Sequence, residues 1–360
     1  MSDEKLNITS IISKAVNYSR LTEEEMIYLL NLDEQNKIEE LFRAAREIRT
    51  ANFGQFIFIY GFIYFSTYCR NNCTFCFYRS SNTVSERYRK SNEEILETAE
   101  KLTKSGVHLL DLTMGEDPYY FKEDHFDDLL NTIASIKEIS GLPMMISPGV
   151  VPRPVLDRFY DLGVAWYACY QETHNKQLYS ELRLNQDYDE RLELKKYARN
   201  KGFLIEEGLL AGIGETVEDI CHSFRVMEEL SADQVRVMSF VPQKGTPLEN
   251  QPSIPRMREL LMIAVMRLLF PDRLIPASLD VDGLSGLKMR LDAGANVITS
   301  IIPPDDGLLG VSQSTLDIQE GGRSVKGIIP VLEECGLEIA SNSDYEKWIE
   351  NRKLQAPIIK

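Results

Sequence analysis

Hydrophobic and polar positions along this chain change their period at regular intervals. Up to about residue 52 the apolar positions repeat at helical spacing, with Ile38, Leu41, Phe42, Ala45 and Ile48 on one face. Thr22 followed by Glu25 forms a capping box and marks a helix start. From Phe56 onward, short apolar runs alternate with amphipathic stretches. Strands are expected over 56–65, 107–114, 144–147, 166–170, 204–211, 234–240, 274–279 and 296–302. Helices are expected over 91–105, 121–139, 153–162, 188–200, 216–230, 254–269 and 283–293. Gly106 and Gly202 stand where glycine commonly ends a helix.

Alternation of this kind reads as consecutive βαβ units with parallel strands. Eight units in roughly 250 residues fit a closed barrel. The expected fold class is therefore α/β, a (β/α)8 barrel of the TIM type. Residues 1–52 form an N-terminal helical extension, 53–305 the barrel, and 306–360 a closing segment packed on it, with helices over 324–335 and 344–352. The Gly-rich, acidic stretch 307–322 either folds over the top of the barrel or is a surface connection.

Composition narrows the class. Forty Lys and Arg against 55 Asp and Glu leave a net charge of −15, which argues against nucleic acid or an anionic membrane as partner. Hydrophobic residues make up 43%, enough for a large core. No apolar stretch has the length of a membrane span, and residues 1–10 lack a secretory pattern. Cys169, Cys221 and Cys335 are scattered, as buried thiols are in a reducing compartment, so a cytoplasmic location is expected.

The other three cysteines, Cys69, Cys73 and Cys76, share one short loop after the first strand, spaced C-x3-C-x2-C. Thiolates select zinc or iron–sulfur clusters. A closed zinc site needs four protein ligands, and the nearest histidine, His108, lies beyond the next helix. Three thiolates on a cube of four irons leave one iron open to a chelating small molecule. A zinc knuckle, or three unrelated core thiols, is the competing reading.

Barrel chemistry collects at the C-terminal ends of the strands. Asp111, Arg236 and Asp280 interrupt apolar runs there, and charge inside such runs is costly unless paired. They are either structural ion pairs or ligands of one cavity. Thr299 and Ser300 follow on the eighth strand. His125 and His174 read as surface or loop residues, and Cys169 as a core thiol.

The cysteine loop resembles that of the radical S-adenosylmethionine (SAM) enzymes, in the biotin synthase and hydrogenase-maturase group, across about residues 50–350. Within that group the chain is most similar to the methylornithine synthase family of pyrrolysine biosynthesis. The resemblance is carried by Tyr170-Gln171-Glu172-Thr173-His174, Val235-Arg236-Val237-Met238, Ile275-Pro276-Ala277-Ser278-Leu279-Asp280 and Asp292-Ala293-Gly294-Ala295-Asn296.

It implies a 4Fe-4S cluster on Cys69, Cys73 and Cys76, and S-adenosyl-L-methionine as cofactor. By the same resemblance, SAM would be bound by Phe75, Glu116, Ser147, Glu172 and Arg191. Glu116 follows Met114-Gly115 where the family carries a Gly-Gly-Glu-like turn, and Gly212-x-Gly214 resembles its adenine turn. The implied reaction is isomerisation of L-lysine to (3R)-3-methyl-D-ornithine. In it a 5′-deoxyadenosyl radical abstracts hydrogen, a glycyl fragment departs and re-adds, and hydrogen returns. An external electron donor is implied, and Asp111, Arg236, Ser278 and Asp280 would bind the substrate. Biotin synthase would need further cysteines on strands, whereas Cys221 falls on an expected helix and Cys335 in the tail. A hydrogenase-maturase-like enzyme acting on another amino-acid-like substrate is the alternative.

Overall fold

The computed structural model describes residues 6–122, 125–303, 322–355 and 357–359. The 307–322 stretch lies outside the described residues, apart from Gly322. Among these residues the chain opens with three helices: α1 (Ile8–Val16), α2 (Glu23–Leu30) and α3 (Gln35–Phe53). The Thr22–Glu25 capping box is formed at α2. The apolar face of α3, with Ile38, Leu41 and Ala45, is buried.

Eight parallel strands follow: β1 (Phe56–Tyr64), β2 (Leu109–Thr113), β3 (Met144–Ser147), β4 (Trp166–Ala168), β5 (Leu204–Ala211), β6 (Gln234–Ser239), β7 (Pro276–Ser278) and β8 (Val297–Ile301). They are ordered β6-β5-β4-β3-β2-β1-β8-β7. One bridge between Gln234 and Leu274 brings β6 back to the β7 side and nearly closes the barrel. Pro276, which has no amide hydrogen, opens β7 just beyond that bridge.

Helices wrap the outside: α4 (Asn92–Ser105), α5 (Phe126–Ser140), α6 (Arg153–Asp161), α7 (Lys176–Leu182), α8 (Tyr188–Lys201), α9 (Val217–Glu229), α10 (Arg256–Leu269), α11 (Leu287–Asp292) and α12 (Val325–Glu334). Local chemistry sets their ends. Ser91 and Glu94 form a capping box at α4, and Gly106 ends it in the left-handed region at φ 90°. The three N-terminal helices pack on α9, α10 and α11 as a second outer layer. None of the described helices is long and apolar enough to cross a membrane.

Two elements depart from the pattern expected of the sequence. The first is α7, a seven-residue helix inside the β4–α8 connection, capped by Asn175, which accepts from the amides of Gln177 and Leu178. The second is β9 (Glu338–Ile339), which pairs with the start of β1.

The last helix, α13 (Asn342–Gln355), closes the bottom of the barrel. Tyr345 enters it and donates to Tyr60 at 2.8 Å, while Trp348 stacks on Trp166 at 5.8 Å between ring centroids. His108 accepts from the Ile59 amide at 3.0 Å and so donates through Nε2 to the Ala340 carbonyl. Both its ring nitrogens are used, which makes it a strut of the floor.

Candidate active site

Past β1 the chain forms a loop held by its own polar side chains. Ser66 Oγ donates to Asp117 at 2.5 Å, and Arg89 binds the same carboxylate through two nitrogens at 2.7 Å. Arg87 donates to the carbonyls of Thr67, Tyr78 and Arg79. Fixed in this way, the loop turns Cys69, Cys73 and Cys76 into one cavity of about 240 Å³ at the C-terminal ends of the strands. All three are free thiols. Burial pushes Cys69 up to about 11 and Cys76 higher still. Such thiols give up protons to a centre that brings compensating positive charge. Among the described residues, no three His, Cys, Asp or Glu side chains gather as ligands of a single ion. Three thiols lining one cavity suit a cube that gives each thiolate its own iron.

Of the twelve side chains singled out from the sequence, eleven line this cavity, and Ser278 does not. They divide by place in the fold. Phe75, Glu116, Glu172 and Arg191 lie on segments that follow strands, and Ser147 is the last residue of β3. Gly115 is required here, because a Cβ would strike the Tyr68 carbonyl and press on Cys69. Glu116 accepts from Arg70 Nε at 2.8 Å and from the Val150 amide at 3.0 Å. Arg191 reaches Glu116 at 3.4 Å and Gln186 at 2.9 Å, and lies 2.8 Å from the Cys169 sulfur. Cys169 is thus a buried thiol, as expected, and one that also faces the cavity.

Glu172 is held at a left-handed φ of 68°. Its Oε1 accepts from Arg183 at 2.7 Å, and its Oε2 is buried with no partner. Burial raises the pKa of this carboxyl, and the Arg183 charge opposes the rise. A buried oxygen without a donor in a cavity wall suits a ligand that brings hydroxyl groups. Gly212 and Gly214 take φ of 98° and 109°, but neither lines the cavity. Glu215 closes that turn on the amides of Gly212 and Ile213.

Asp111 on β2, Arg236 on β6 and Asp280, two residues past the end of β7, make up the cavity floor. Asp111 accepts from Thr113 Oγ1 at 2.9 Å. Burial, then the charge on Glu206, raises it to about 7. Arg236 donates Nε to Glu206 at 2.7 Å, and its Nη2 is buried without a partner. Asp280 accepts from Ser278 and Ser300 at 2.8 Å and from Arg323 at 3.3 Å. Arg236 and Asp280 thus have ion partners, as a structural reading expects, and all three charges line the cavity, as a ligand reading expects. Ser278 acts on Asp280 from behind.

Arg183, Gln186, Glu206 and Arg323 belong to the site and are not among the residues that the sequence singles out. Glu206 carries a usable signal, a charge inside an apolar strand, the same signal that marks Asp111. Arg183 follows the unforeseen α7. It sits 3.7 Å from the Cys73 sulfur, with its guanidinium carbon 5.4 Å from the Phe75 ring centre. Gln186 donates to the same sulfur at 3.1 Å. His174 lies in a loop, as expected, but not at the surface. It is fully buried, with Nε2 3.8 Å from Glu207 of β5.

Comparison with known proteins agrees with this architecture. The family model of the radical SAM superfamily matches residues 63–227. The 3-methylornithine synthase of Methanosarcina barkeri is 42% identical over 337 residues, 94% of this chain and 95% of that protein. The FeFe hydrogenase maturase subunit HydE of Thermotoga maritima is 31% identical over 280 residues, 77% of this chain and 79% of that one. A crystal structure of methylornithine synthase (PylB) superposes with a TM-score of 0.90 at 42% identity, covering 94% of this chain and 99% of the other. Over nearly its whole length, therefore, this chain belongs to the 3-methylornithine synthase family of the radical SAM superfamily.

Proposed function

We propose that the chain isomerises L-lysine to (3R)-3-methyl-D-ornithine in pyrrolysine biosynthesis. In this reading Cys69, Cys73 and Cys76 hold a 4Fe-4S cluster, and Phe75, Glu116, Ser147, Glu172 and Arg191 hold SAM. When bound and reduced by an external donor, that pair supplies a 5′-deoxyadenosyl radical.

The supporting observation is the charge balance of the floor. Asp111, Glu206 and Asp280 face Arg236 and Arg323, three carboxylates against two guanidinium groups. With Asp111 ionised one net negative charge remains, and because burial raises that carboxyl to about 7, a cationic ligand would favour its ionised form. A diamino acid such as lysine carries one net positive charge. Arg236 takes its α-carboxylate, Asp280 its α-ammonium, and Asp111 its side-chain ammonium. The substrate then lies stretched across the cavity with its middle carbons toward the cysteine end. Each fragment keeps a charged anchor after the carbon–carbon bond breaks. The closed bottom of the barrel, sealed by Tyr345 and Tyr60, keeps water from a reactive carbon radical.

The test is anaerobic incubation of cluster-loaded protein with SAM, a low-potential reductant and isotopically labelled lysine. Methylornithine carrying the label supports the reading. Cleavage of SAM with lysine returned unchanged would move the enzyme to the hydrogenase-maturase-like alternative and another substrate.

A further inference from the structure

The floor of the cavity contains one buried carboxylate outside its lining. Glu206, on β5, has no exposure to solvent. Its Oε1 accepts from Arg236 Nε at 2.7 Å and from Gln234 Nε2 at 2.5 Å. Its Oε2 accepts from the Tyr170 hydroxyl at 2.6 Å. With both oxygens engaged, Glu206 is better placed to hold its neighbours than to bind a ligand.

Resting on the lysine reading above, we propose that Glu206 is a positioning residue that fixes Arg236 for end-on capture of the substrate carboxylate. A guanidinium can grip a carboxylate along its Nε–Nη edge or along its Nη1–Nη2 edge. Glu206 occupies Nε and so claims the first edge. The second is free for a ligand: Nη2 is buried without a partner, and Nη1 has only the Met238 sulfur at 4.0 Å.

The surroundings restrict the guanidinium further. The Tyr170 ring lies 5.8 Å from the guanidinium carbon, and its hydroxyl is the third donor to Glu206. Gly208, opposite Arg236 in the β5–β6 ladder, makes room for that ring, since a Cβ there would stand 3.1 Å from it. Glu206, Tyr170 and the space at Gly208 together set one orientation of Arg236. Orientation matters here because the departing glycyl fragment must be held by the same group that held the intact substrate.

The experiment is a double-mutant cycle on lysine binding to cluster-loaded protein with SAM and no reductant, so that nothing turns over. Glu206→Gln should weaken lysine binding at least tenfold and leave SAM binding within twofold of wild type. In an Arg236→Met background, Glu206→Gln should change lysine affinity less than twofold further, because it acts only through Arg236. Under turnover, Glu206→Gln should raise KM more than it lowers kcat and release more 5′-deoxyadenosine per product. If Glu206→Gln does not fold, Tyr170→Phe, which removes one donor and keeps the ring, should shift lysine binding the same way. Wild-type lysine affinity in Glu206→Gln, or losses that simply add to those of Arg236→Met, overturns the positioning role while the lysine reading stands. Undiminished lysine affinity in Arg236→Met alone overturns both.

Discussion

Arg183 donates to the Glu172 carboxylate at 2.7 Å, and the same guanidinium stands 3.7 Å from the sulfur of Cys73. One side chain thereby links the cysteine loop to the carboxylate whose free oxygen suits a ligand's hydroxyl groups. Charge-assisted bonds of this kind are worth about 1.5–3 kcal/mol. Arg183→Met should weaken SAM binding by that amount, measured by equilibrium binding, with iron content after anaerobic reconstitution unchanged. A large loss of iron would show that Arg183 serves the loop instead.

Changing Cys69, Cys73 or Cys76 singly to Ala should abolish SAM cleavage. The visible charge-transfer absorption of the reconstituted protein should drop in each variant. Full release of 5′-deoxyadenosine by any one of them would remove that residue from the ligand set.

Asp111 sits at about 7, raised from 3.8 by burial and by the neighbouring Glu206 charge. Its carboxylate is therefore disfavoured in the folded protein and fully present only above neutrality. Lysine affinity should rise as pH climbs through about 6 to 8, by at most about tenfold for each step of one in pH. The rise should vanish in Asp111→Asn. An equal pH dependence in that variant would assign the titration to another group. The sign for stability is opposite: a raised carboxyl pKa favours folding at low pH, and this contribution is lost as pH climbs from about 4 toward 7.

Asp280 and Asp111 should differ in what they let escape. Asp280→Asn loosens the end of the substrate that becomes the glycyl fragment, and Asp111→Asn the end that keeps the side-chain amine. Both should raise uncoupled 5′-deoxyadenosine without weakening SAM. Product yields equal to wild type from both variants would make these charges structural.

Lys195 and Glu207 form a fully buried ion pair, joined by Gln171, whose side chain accepts from Lys195 at 3.1 Å. Glu207 also accepts from the backbone amide of Gln171 at 2.9 Å, one residue before Glu172. Removing one partner of such a pair leaves a buried charge and costs about 3–5 kcal/mol. Lys195→Met should lower stability by that amount in chemical denaturation. A loss below about 1 kcal/mol would mean the pair is hydrated in solution.

Much of this is legible in the chain because local rules suffice for it. Ser91, Glu94 and Gly106 mark both ends of α4 without reference to anything distant. The short cysteine spacing marks three thiols that do meet in one cavity. Elements too short to carry a period are not legible: α7 has seven residues and β9 two. Partners distant in sequence are also hidden. Arg323 reaches Asp280 across 43 residues, and nothing in its own neighbourhood signals that contact. Glu206 differs, for it obeys the rule that marks Asp111, although the apolar residues of its strand mask it. His174 misleads because polarity in a loop sequence says little about what later folds over it.

The barrel has one weak joint. Between β6 and β7 the backbone meets only at Gln234 and Leu274, among the described residues, and Pro276 cannot extend the ladder. Arg236 stands two residues beyond that bridge on one side, and Asp280 follows β7 on the other. An amino acid gripped by both would therefore lie across this seam as a clasp, replacing with its own charges the hydrogen bonds that the strands do not make. The barrel would then complete its ring only with its ligand in place, and backbone amides flanking the seam would exchange with solvent more slowly once lysine is bound.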